Sequence, residues 1–328
     1  MTGHALARAA LLVTALAAAP PQDLRPAFRS GIDLVSFAAT VTDRKGNLVT
    51  NLTEKDFEIY EDGKKQQIRY FLPGGSRQSD EAAPPPELHL GALLDISGSM
   101  ADDIGLARRA AVRFLNTLTD ADDITLVDFD TEVRIARYDL SNFARLAERI
   151  RSLKPDGYTA LYDALGVFLD NASFDQGRKI LVIYTDGADN LSNITLADLR
   201  KLLRASDVTV YTIGFLGRLS TAVRISLELN LREIAEITGG QFFLPTSMKD
   251  LDSSYEKVKA EIEAQYGLGY LSTNERTDGS WRKVQIKMVG PERKGLSVRA
   301  RQGYFAPYRD GGRGSGPAGR DTAGGPRR

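Results

Sequence analysis

The sequence contains no cysteine and only two histidines, His4 and His89. The absence of cysteine excludes disulfide bonds, thiolate metal sites, a cysteine nucleophile and a lipid anchor attached through cysteine. Two histidines leave almost nothing from which to build a Ser-His-Asp triad or a histidine zinc site. Any metal binding or catalysis therefore depends on oxygen-bearing side chains.

The sequence also has a formal net charge of zero, because 43 lysines and arginines balance 43 aspartates and glutamates. Without an excess of positive charge there is no general attraction for nucleic acid or anionic lipid, so we expect no nucleic-acid partner. Hydrophobic residues make up 42% and charged residues 26% of the 328 residues. This balance is typical of a globular protein, and the length favours two domains with tails.

The N-terminus has the pattern of an export signal. Arg8 precedes an apolar run at residues 9–19, and Ala15-Leu16-Ala17 fits the small-x-small cleavage pattern. The run is shorter than the roughly 20 residues of a membrane-spanning helix. We therefore predict a signal peptide at residues 1–17, a secreted or periplasmic location, and no transmembrane segment after signal cleavage.

Two arms rich in β-forming residues flank the middle of the sequence. The first arm, residues 32–71, includes predicted strands at 57–60 and 67–71, and the Asp-Gly pair at 62–63 between them predicts a β-hairpin. The period-two pattern of strands returns over residues 266–308. Because neither arm has enough strands to be stable alone, we expect the two arms to pair in one β-sandwich.

The middle of the sequence, residues 88–265, alternates strands with helices. This order predicts a doubly wound α/β domain, in which helices cover both faces of a mainly parallel sheet, inserted in the β-sandwich. Residues 72–87 are rich in proline and are predicted to be a linker. Residues 309–328 consist largely of Gly, Arg and Pro and are predicted to be a disordered tail.

Oxygen-bearing side chains follow three of the predicted strands. Asp95, Ser97 and Ser99 come directly after the first strand of the α/β domain, Thr159 precedes a helix, and Asp186 ends the strand at 180–185. Open α/β sheets bind ligands at the carboxyl ends of their strands. Aspartate and hydroxyl oxygens without histidine or cysteine suit a hard cation such as Mg²⁺.

The motifs that contain these residues resemble those of the von Willebrand factor type A domain. They are Asp-x-Ser-x-Ser at 95–99, Gly-x-Thr-Ala-Leu-Tyr-Asp-Ala-Leu at 157–165 and Thr-Asp-Gly at 185–187, in that order on the expected elements. The resemblance covers residues 88–265, and the two arms resemble those of exported bacterial proteins that carry such a domain. Tyr158 is bulkier than the small residue that often precedes the threonine in this family.

The resemblance implies a Rossmann-like domain with a metal-ion-dependent adhesion site. By that resemblance, the cation is Mg²⁺, or Mn²⁺ or Ca²⁺, and its ligands are Asp95, Ser97, Ser99, Thr159 and Asp186, with the two aspartates acting partly through water. It further implies a non-enzymatic protein-binding or adhesion module. The partner is then a protein ligand that offers an Asp or Glu carboxylate to complete the coordination of the cation.

Two alternatives remain open from the sequence. A doubly wound sheet with Asp95 after its first strand also resembles phosphatases of the haloacid dehalogenase type, in which that aspartate is the nucleophile. Those Mg²⁺-dependent hydrolases have a second aspartate two residues later as general acid, where this sequence has Ser97. The other alternative is a structural domain with a vestigial metal site.

Other acidic residues of the α/β domain receive no role as metal ligands. We interpret Asp163 as a charge on the face of a helix and Asp189 as a loop acid or an acceptor behind the ligands. Asp128, at the end of a predicted strand, stays unassigned.

Overall fold

The computed structural model describes residues 34–75, 87–118, 120–290 and 293–308. The predicted signal peptide at 1–17, the predicted tail at 309–328 and most of the predicted linker at 72–87 lie outside the described residues. Within the described ranges, no helix combines the length and the apolar character needed to cross a membrane.

The described residues form strands in both arms and alternating strands and helices between them. The strands of the N-terminal arm are β1 (Leu34–Thr42), β2 (Phe57–Glu61), β3 (Lys64–Gln66) and β4 (Ile68–Leu72). The strands of the central region are β5 (Leu88–Asp95), β6 (Asp123–Phe129), β7 (Val133–Asp139), β8 (Arg178–Thr185), β9 (Thr209–Gly214) and β10 (Phe242–Phe243). Its helices are α1 (Ile104–Thr117), α2 (Phe143–Ser152), α3 (Leu161–Ala172), α4 (Leu196–Ala205), α5 (Thr221–Ile237) and α6 (Met248–Ala264). The strands of the C-terminal arm are β11 (Tyr266–Leu271), β12 (Trp281–Met288), β13 (Ser297–Ala300) and β14 (Gly303–Phe305).

The central sheet has the strand order β10-β9-β8-β5-β6-β7. Its strands run parallel except β7, which pairs antiparallel with β6 at the edge. Side chains of β5 alternate between two cores: Leu90 and Leu94 pack with α1, α2 and α6, whereas Leu93 packs with α3, α4 and α5. The helices therefore cover both faces, and the predicted doubly wound α/β fold is confirmed.

Gly91 is the point of closest approach between β5 and α3. A Cβ atom at this position would overlap the ring of Phe168 and would lie 2.7 Å from Leu181 Cδ1. Only glycine leaves room for the phenylalanine ring against the strand. The close packing fixes α3, which begins directly after Thr159 and Ala160.

Both arms contribute strands to each of two antiparallel sheets, whose orders are β13-β1-β11-β4 and β14-β12-β2-β3. The inner faces share one apolar core that includes Phe37, Ile59, Leu268 and Val284. The predicted β-sandwich with an inserted α/β domain is therefore confirmed. Neither sheet is made from one arm alone.

The predicted hairpin is present, but its second strand differs from the prediction. Asp62 and Gly63 have φ angles of 46° and 81°, and the turn pairs β2 with β3. The predicted strand at 67–71 is wrong as a partner of β2, because β4 pairs with β11 in the other sheet. The crossover follows Gln66, whose buried side chain donates to Thr273 Oγ1 at 3.0 Å and thereby ends β3 inside the sandwich.

The two ends of the α/β domain meet at the first residue of β8. The backbone N–H of Arg178 donates to Glu87 O at 2.7 Å. Its guanidinium donates to Ile262 O and, at 2.8 Å, to Gln265 Oε1. In addition, Gly75 N donates to Glu263 O at 2.9 Å. Both arms therefore leave the inserted domain from one place.

We propose residues 32–71 and 266–308 as the two halves of one folding unit. A chain that ends at residue 265 is expected to lose the β-sandwich, because β1 and β2 then lack β11, β13 and β12 as partners. Hydrogen exchange should show protection lost in β1 and retained in β5 and β8. Cooperative folding of isolated residues 266–308 would contradict the proposal.

Candidate metal centre

The first loop of the site follows β5, which is buried on both faces. Asp95 is fully buried, and its Oδ1 accepts a hydrogen bond from Ser97 N at 2.9 Å. Its Oδ2 accepts from Thr185 Oγ1 at 2.5 Å. The hydroxyl oxygens of Ser97 and Ser99 lie 3.1 Å apart, with Ser97 buried and Ser99 exposed. This loop thus places three oxygen-bearing side chains between the end of the strand and the protein surface.

The second loop is joined to the first by its backbone. Gly157 O accepts from Gly98 N at 3.1 Å, and Gly157 has a φ of 70°, in the left-handed region that favours glycine. Thr159 is buried, and its N–H donates to Asn190 Oδ1 at 2.8 Å. Tyr158 is 64% exposed, so most of its ring surface faces solvent.

The third loop follows β8 and brings a second buried carboxylate. Asp186 is buried, and its Oδ1 accepts from Ala188 N at 3.1 Å. Burial of Asp95, together with repulsion from Asp186, raises the pKa of Asp95 to about 7, although hydrogen bonds from Ser97 and Thr185 act in the opposite direction. Asp186 is therefore near enough to Asp95 to disfavour the ionisation of Asp95.

The donor set matches a hard divalent cation. Two carboxylates and three hydroxyl groups supply only oxygen ligands, and positive charge would offset the repulsion between Asp95 and Asp186. Among the described residues, no group of three or more His, Cys, Asp or Glu side chains is arranged to hold a metal ion. A cation at this site would therefore depend on the hydroxyl oxygens of Ser97, Ser99 and Thr159 as well as on the two carboxylates.

The loop after β8 also holds the start of α3. Ala160 precedes this helix and has no side-chain oxygen to cap it, so the first N–H groups of α3 need acceptors from elsewhere. Asp189 Oδ1 accepts from Tyr162 N at 3.2 Å, and Ser192 Oγ accepts from Asp163 N at 3.0 Å. These bonds hold the second loop beside the third loop, and they show Asp189 as an acceptor for Tyr162 N and Ser192 Oγ.

Asp163 differs from its interpretation as a charge on a helix face. Its carboxylate accepts from Asn193 N, from Asn193 Nδ2 and from Ile194 N, at 2.8 to 3.1 Å. Partial burial acts to raise its pKa, but these hydrogen bonds prevail and lower it. No local pattern in the sequence indicates this role, because the acceptor and the donors are 30 residues apart.

Asp128, unassigned from the sequence, is part of an ion-pair cluster at the end of β6. This buried carboxylate binds Arg134 Nε at 2.8 Å and Arg149 NH2 at 2.5 Å. Two guanidinium groups satisfy its charge, so Asp128 is not a candidate ligand.

The site lacks the general acid of the haloacid dehalogenase-type phosphatases considered above. Ser97, where such an enzyme has its general acid, is hydrogen-bonded to Ser99, and a serine hydroxyl is not acidic enough to act as a general acid near neutral pH.

Comparison of the sequence with known protein families gives one match, which lies in the central α/β domain. The sequence profile of the von Willebrand factor type A domain matches residues 89–257. A search of curated proteins found no significant match.

Several solved structures are similar to this chain at low sequence identity. A von Willebrand factor type A protein from Catenulispora acidiphila is 16% identical, with 86% of this chain and 75% of that chain covered and a TM-score of 0.46. The PilB minor pilin from Streptococcus sanguinis is 16% identical, with 56% of this chain covered and a TM-score of 0.45. The von Willebrand factor domain of the type V pili tip protein Mfa5 from Porphyromonas gingivalis is 14% identical, with 60% of this chain and 100% of that chain covered and a TM-score of 0.44. This chain spans 63% of the length of the pilin, less than two thirds.

Proposed function

This chain belongs to the von Willebrand factor type A domain family, and from that membership we propose that it is a non-enzymatic, metal-dependent protein-binding module. The cation would be held by Asp95, Ser97, Ser99, Thr159 and Asp186. Its protein partner would offer an Asp or Glu carboxylate. The β-sandwich would serve as the base that carries the binding domain.

The observation that supports this proposal most is the pair of buried carboxylates beside two hydroxyl groups at the carboxyl edge of the sheet. When bound, a divalent cation supplies positive charge and a free coordination position at this edge. Asp95 and Asp186 would neutralise that charge, while the serine and threonine hydroxyls add none. Thr185 keeps Asp95 oriented through its 2.5 Å hydrogen bond. A carboxylate from the partner can then approach without meeting excess negative charge.

We place this activity outside the cytoplasm. The proposed signal peptide at residues 1–17 supports export, and the balanced charge gives no attraction for nucleic acid. N-terminal sequencing of the exported protein is expected to start near residue 18. An intact Met1 on protein recovered from outside the cytoplasm would contradict the proposed cleavage.

Capture of a partner from the envelope fraction of the source cells tests the function. The unchanged protein is expected to retain the partner in Mg²⁺ or Mn²⁺ and to release it in EDTA. The Asp95→Ala variant is expected to retain none. Asp102→Ala is the matched control, because Asp102 is an exposed acid near the same loop that pairs with Arg218 at 3.0 Å. Equal capture by all three proteins, or capture that persists in EDTA, would contradict the proposal.

Two further measurements separate the alternatives. A phosphatase assay in Mg²⁺ is expected to show no hydrolysis above that of Asp95→Ala, and hydrolysis that depends on Asp95 would favour the enzyme. Calorimetry with Mg²⁺ and Mn²⁺ is expected to show binding at one site. Absence of binding for both ions would favour a structural domain with a vestigial site.

A further inference from the structure

We propose that a cleft between α1 and α2, separate from the metal centre, binds a small molecule that carries a diphosphate group joined to an apolar group. The cleft has a volume of about 510 Å³, within the range of about 300 to 1,000 Å³ that is usual for small-molecule sites. Four arginines line it: Arg108, Arg109 and Arg113 from α1, and Arg151 from α2. The proposal does not depend on the function proposed above.

The positive charge of this region is unusual for a chain with no net charge. α1 and α2 together contain six arginines and a single acidic residue, Glu148. Arg109 and Arg113 are one helical turn apart, a spacing at which like charges repel. The helices thus concentrate positive charge, which is offset in part because Arg149 pairs with Asp128 and Arg113 with Asp252.

Some of these arginines have partners and some have none in the described part of the chain. Arg113 NH1 binds Asp252 at 2.7 Å, which accounts for one of the four lining charges. For Arg109 and Arg151, no side-chain hydrogen bond or ion pair with another described residue is present. Each of these two exposed guanidinium groups is free to bind an anion.

Arg108 provides an independent sign of an incomplete site. Its Nε is buried and has no hydrogen-bond partner, and its NH1 makes only a long contact of 3.4 Å with Arg151 O. A buried donor without an acceptor destabilises the fold unless a ligand or water satisfies it. Burial also lowers the pKa of Arg108, as expected where no counter-charge accompanies it. An anion in the cleft would supply both the acceptor and the charge.

The chemistry of the lining favours phosphate over carboxylate. A guanidinium group donates two parallel hydrogen bonds to phosphate oxygens, and a diphosphate group as a whole brings more negative charge than one carboxylate. Three arginines without an acidic partner match the charge of a diphosphate better than that of one carboxylate. Phe143 and Val112 add apolar surface to the same cleft. That surface would contact an apolar group next to the diphosphate, so an inorganic anion alone would leave part of the site unused.

Calorimetry in EDTA with inorganic pyrophosphate, ADP and farnesyl diphosphate tests this site, because EDTA excludes binding through a cation at the metal centre. We expect all three to bind at one site per chain. At least one of the organic diphosphates is expected to bind tenfold or more tightly than pyrophosphate. Tighter binding of ADP would indicate that the cleft accepts a ring as the apolar group. Tighter binding of farnesyl diphosphate would indicate an aliphatic chain.

Substitutions of the lining arginines test whether the diphosphate binds in this cleft. Arg109→Gln and Arg151→Gln are expected to weaken diphosphate binding at least tenfold, and they change exposed residues, so the fold should persist. Arg145→Gln is the matched control, since Arg145 is an exposed arginine of α2 that does not line the cleft. No binding of any diphosphate at millimolar concentration would overturn the proposal. So would equal affinities in all variants, or pyrophosphate binding as tightly as both organic ligands.

Discussion

Without divalent metal at pH 8, the Asp95→Asn variant is expected to be more stable to thermal unfolding than the unchanged protein. The amide side chain of the variant would retain an acceptor for Ser97 N and would remove the charge that burial and Asp186 disfavour. The pKa of Asp95 is raised from 3.8 to about 7 in the folded protein. At 1.36 kcal/mol for each pKa unit, the ionised carboxylate lowers the free energy of unfolding by up to about 4 kcal/mol.

The pH dependence gives the sign of this effect. Between about pH 4 and pH 7 the folded state binds more protons at Asp95 than the unfolded state does, so stability falls as the pH rises through this window. The advantage of Asp95→Asn over the unchanged protein should therefore grow from pH 4 to pH 7 and stay constant above it. The difference between the two proteins cancels the contributions of titrating groups that do not interact with Asp95.

Magnesium is expected to reduce the stability advantage of Asp95→Asn over the unchanged protein. A cation that binds only the folded state stabilises it by about 2.7 kcal/mol at 100 times its dissociation constant, and loss of Asp95 should weaken its binding at least 100-fold. Scanning calorimetry in EDTA and in Mg²⁺ measures both effects, with Asp102→Asn as a control that should change neither. A variant less stable than the unchanged protein in EDTA at pH 8, or equally stabilised by Mg²⁺, would contradict this assignment.

Removal of Glu61 is expected to destabilise the β-sandwich by about 3–5 kcal/mol, the usual effect of leaving a buried charge without its partner. Glu61 and Arg282 are both buried, and Arg282 NH1 lies 3.2 Å from Glu61 Oε1. Three hydroxyl groups, those of Ser272, Tyr270 and Tyr304, donate to the same carboxylate at 2.7 to 2.8 Å. Although burial acts to raise it, these bonds and Arg282 lower the pKa of Glu61.

This network joins a strand of the N-terminal arm to three segments of the C-terminal arm. In Glu61→Ala, Arg282 would lose its buried counter-charge and keep only the more exposed Asp278 at 4.0 Å, and three hydroxyl groups would lose an acceptor. Glu58→Ala, on the outer face of the same strand, removes a partly exposed pair with Lys65 and should change stability much less than Glu61→Ala does. Urea unfolding measures both variants. Equal effects of the two substitutions would show that the network contributes nothing beyond a surface pair.

The architecture could be predicted from the sequence because the spacing of apolar residues in long segments shows whether each is a helix or a strand and which side of it is buried. Examples are the buried strand β5 (Leu88–Asp95) and the helix α3 (Leu161–Ala172). The loops with Asp95 and Asp186 could be identified because both follow such strands. The hydrogen bond from Thr185 to Asp95, which links these two loops, could not be predicted because the two residues are 90 positions apart in the sequence.

Other features of the fold and of the candidate sites could not be predicted, because they depend on tertiary packing and not on the local sequence. The alternating run at 67–71 predicts a strand, but it does not show which of the two sheets the strand enters. The pair Arg108-Arg109 is visible in the sequence, whereas the cleft beside it exists only because α2 packs on α1. Asp163 has the spacing of an exposed helix residue, and its hydrogen bonds to the next loop depend on tertiary packing.

The interleaving of the two arms has a consequence for the timing of synthesis. β1 and β2 are made early, but their partners β11 and β12 follow roughly 200 residues later, about 10 to 40 s at typical rates of translation. During that interval the strand edges of the first arm stay unpaired, which is a hazard for aggregation. If the inserted domain folds first, Arg178 brings Glu87 and Gln265 together and shortens the chain that must close. Holding the nascent N-terminal arm in an unfolded state until the chain is complete would therefore protect the protein.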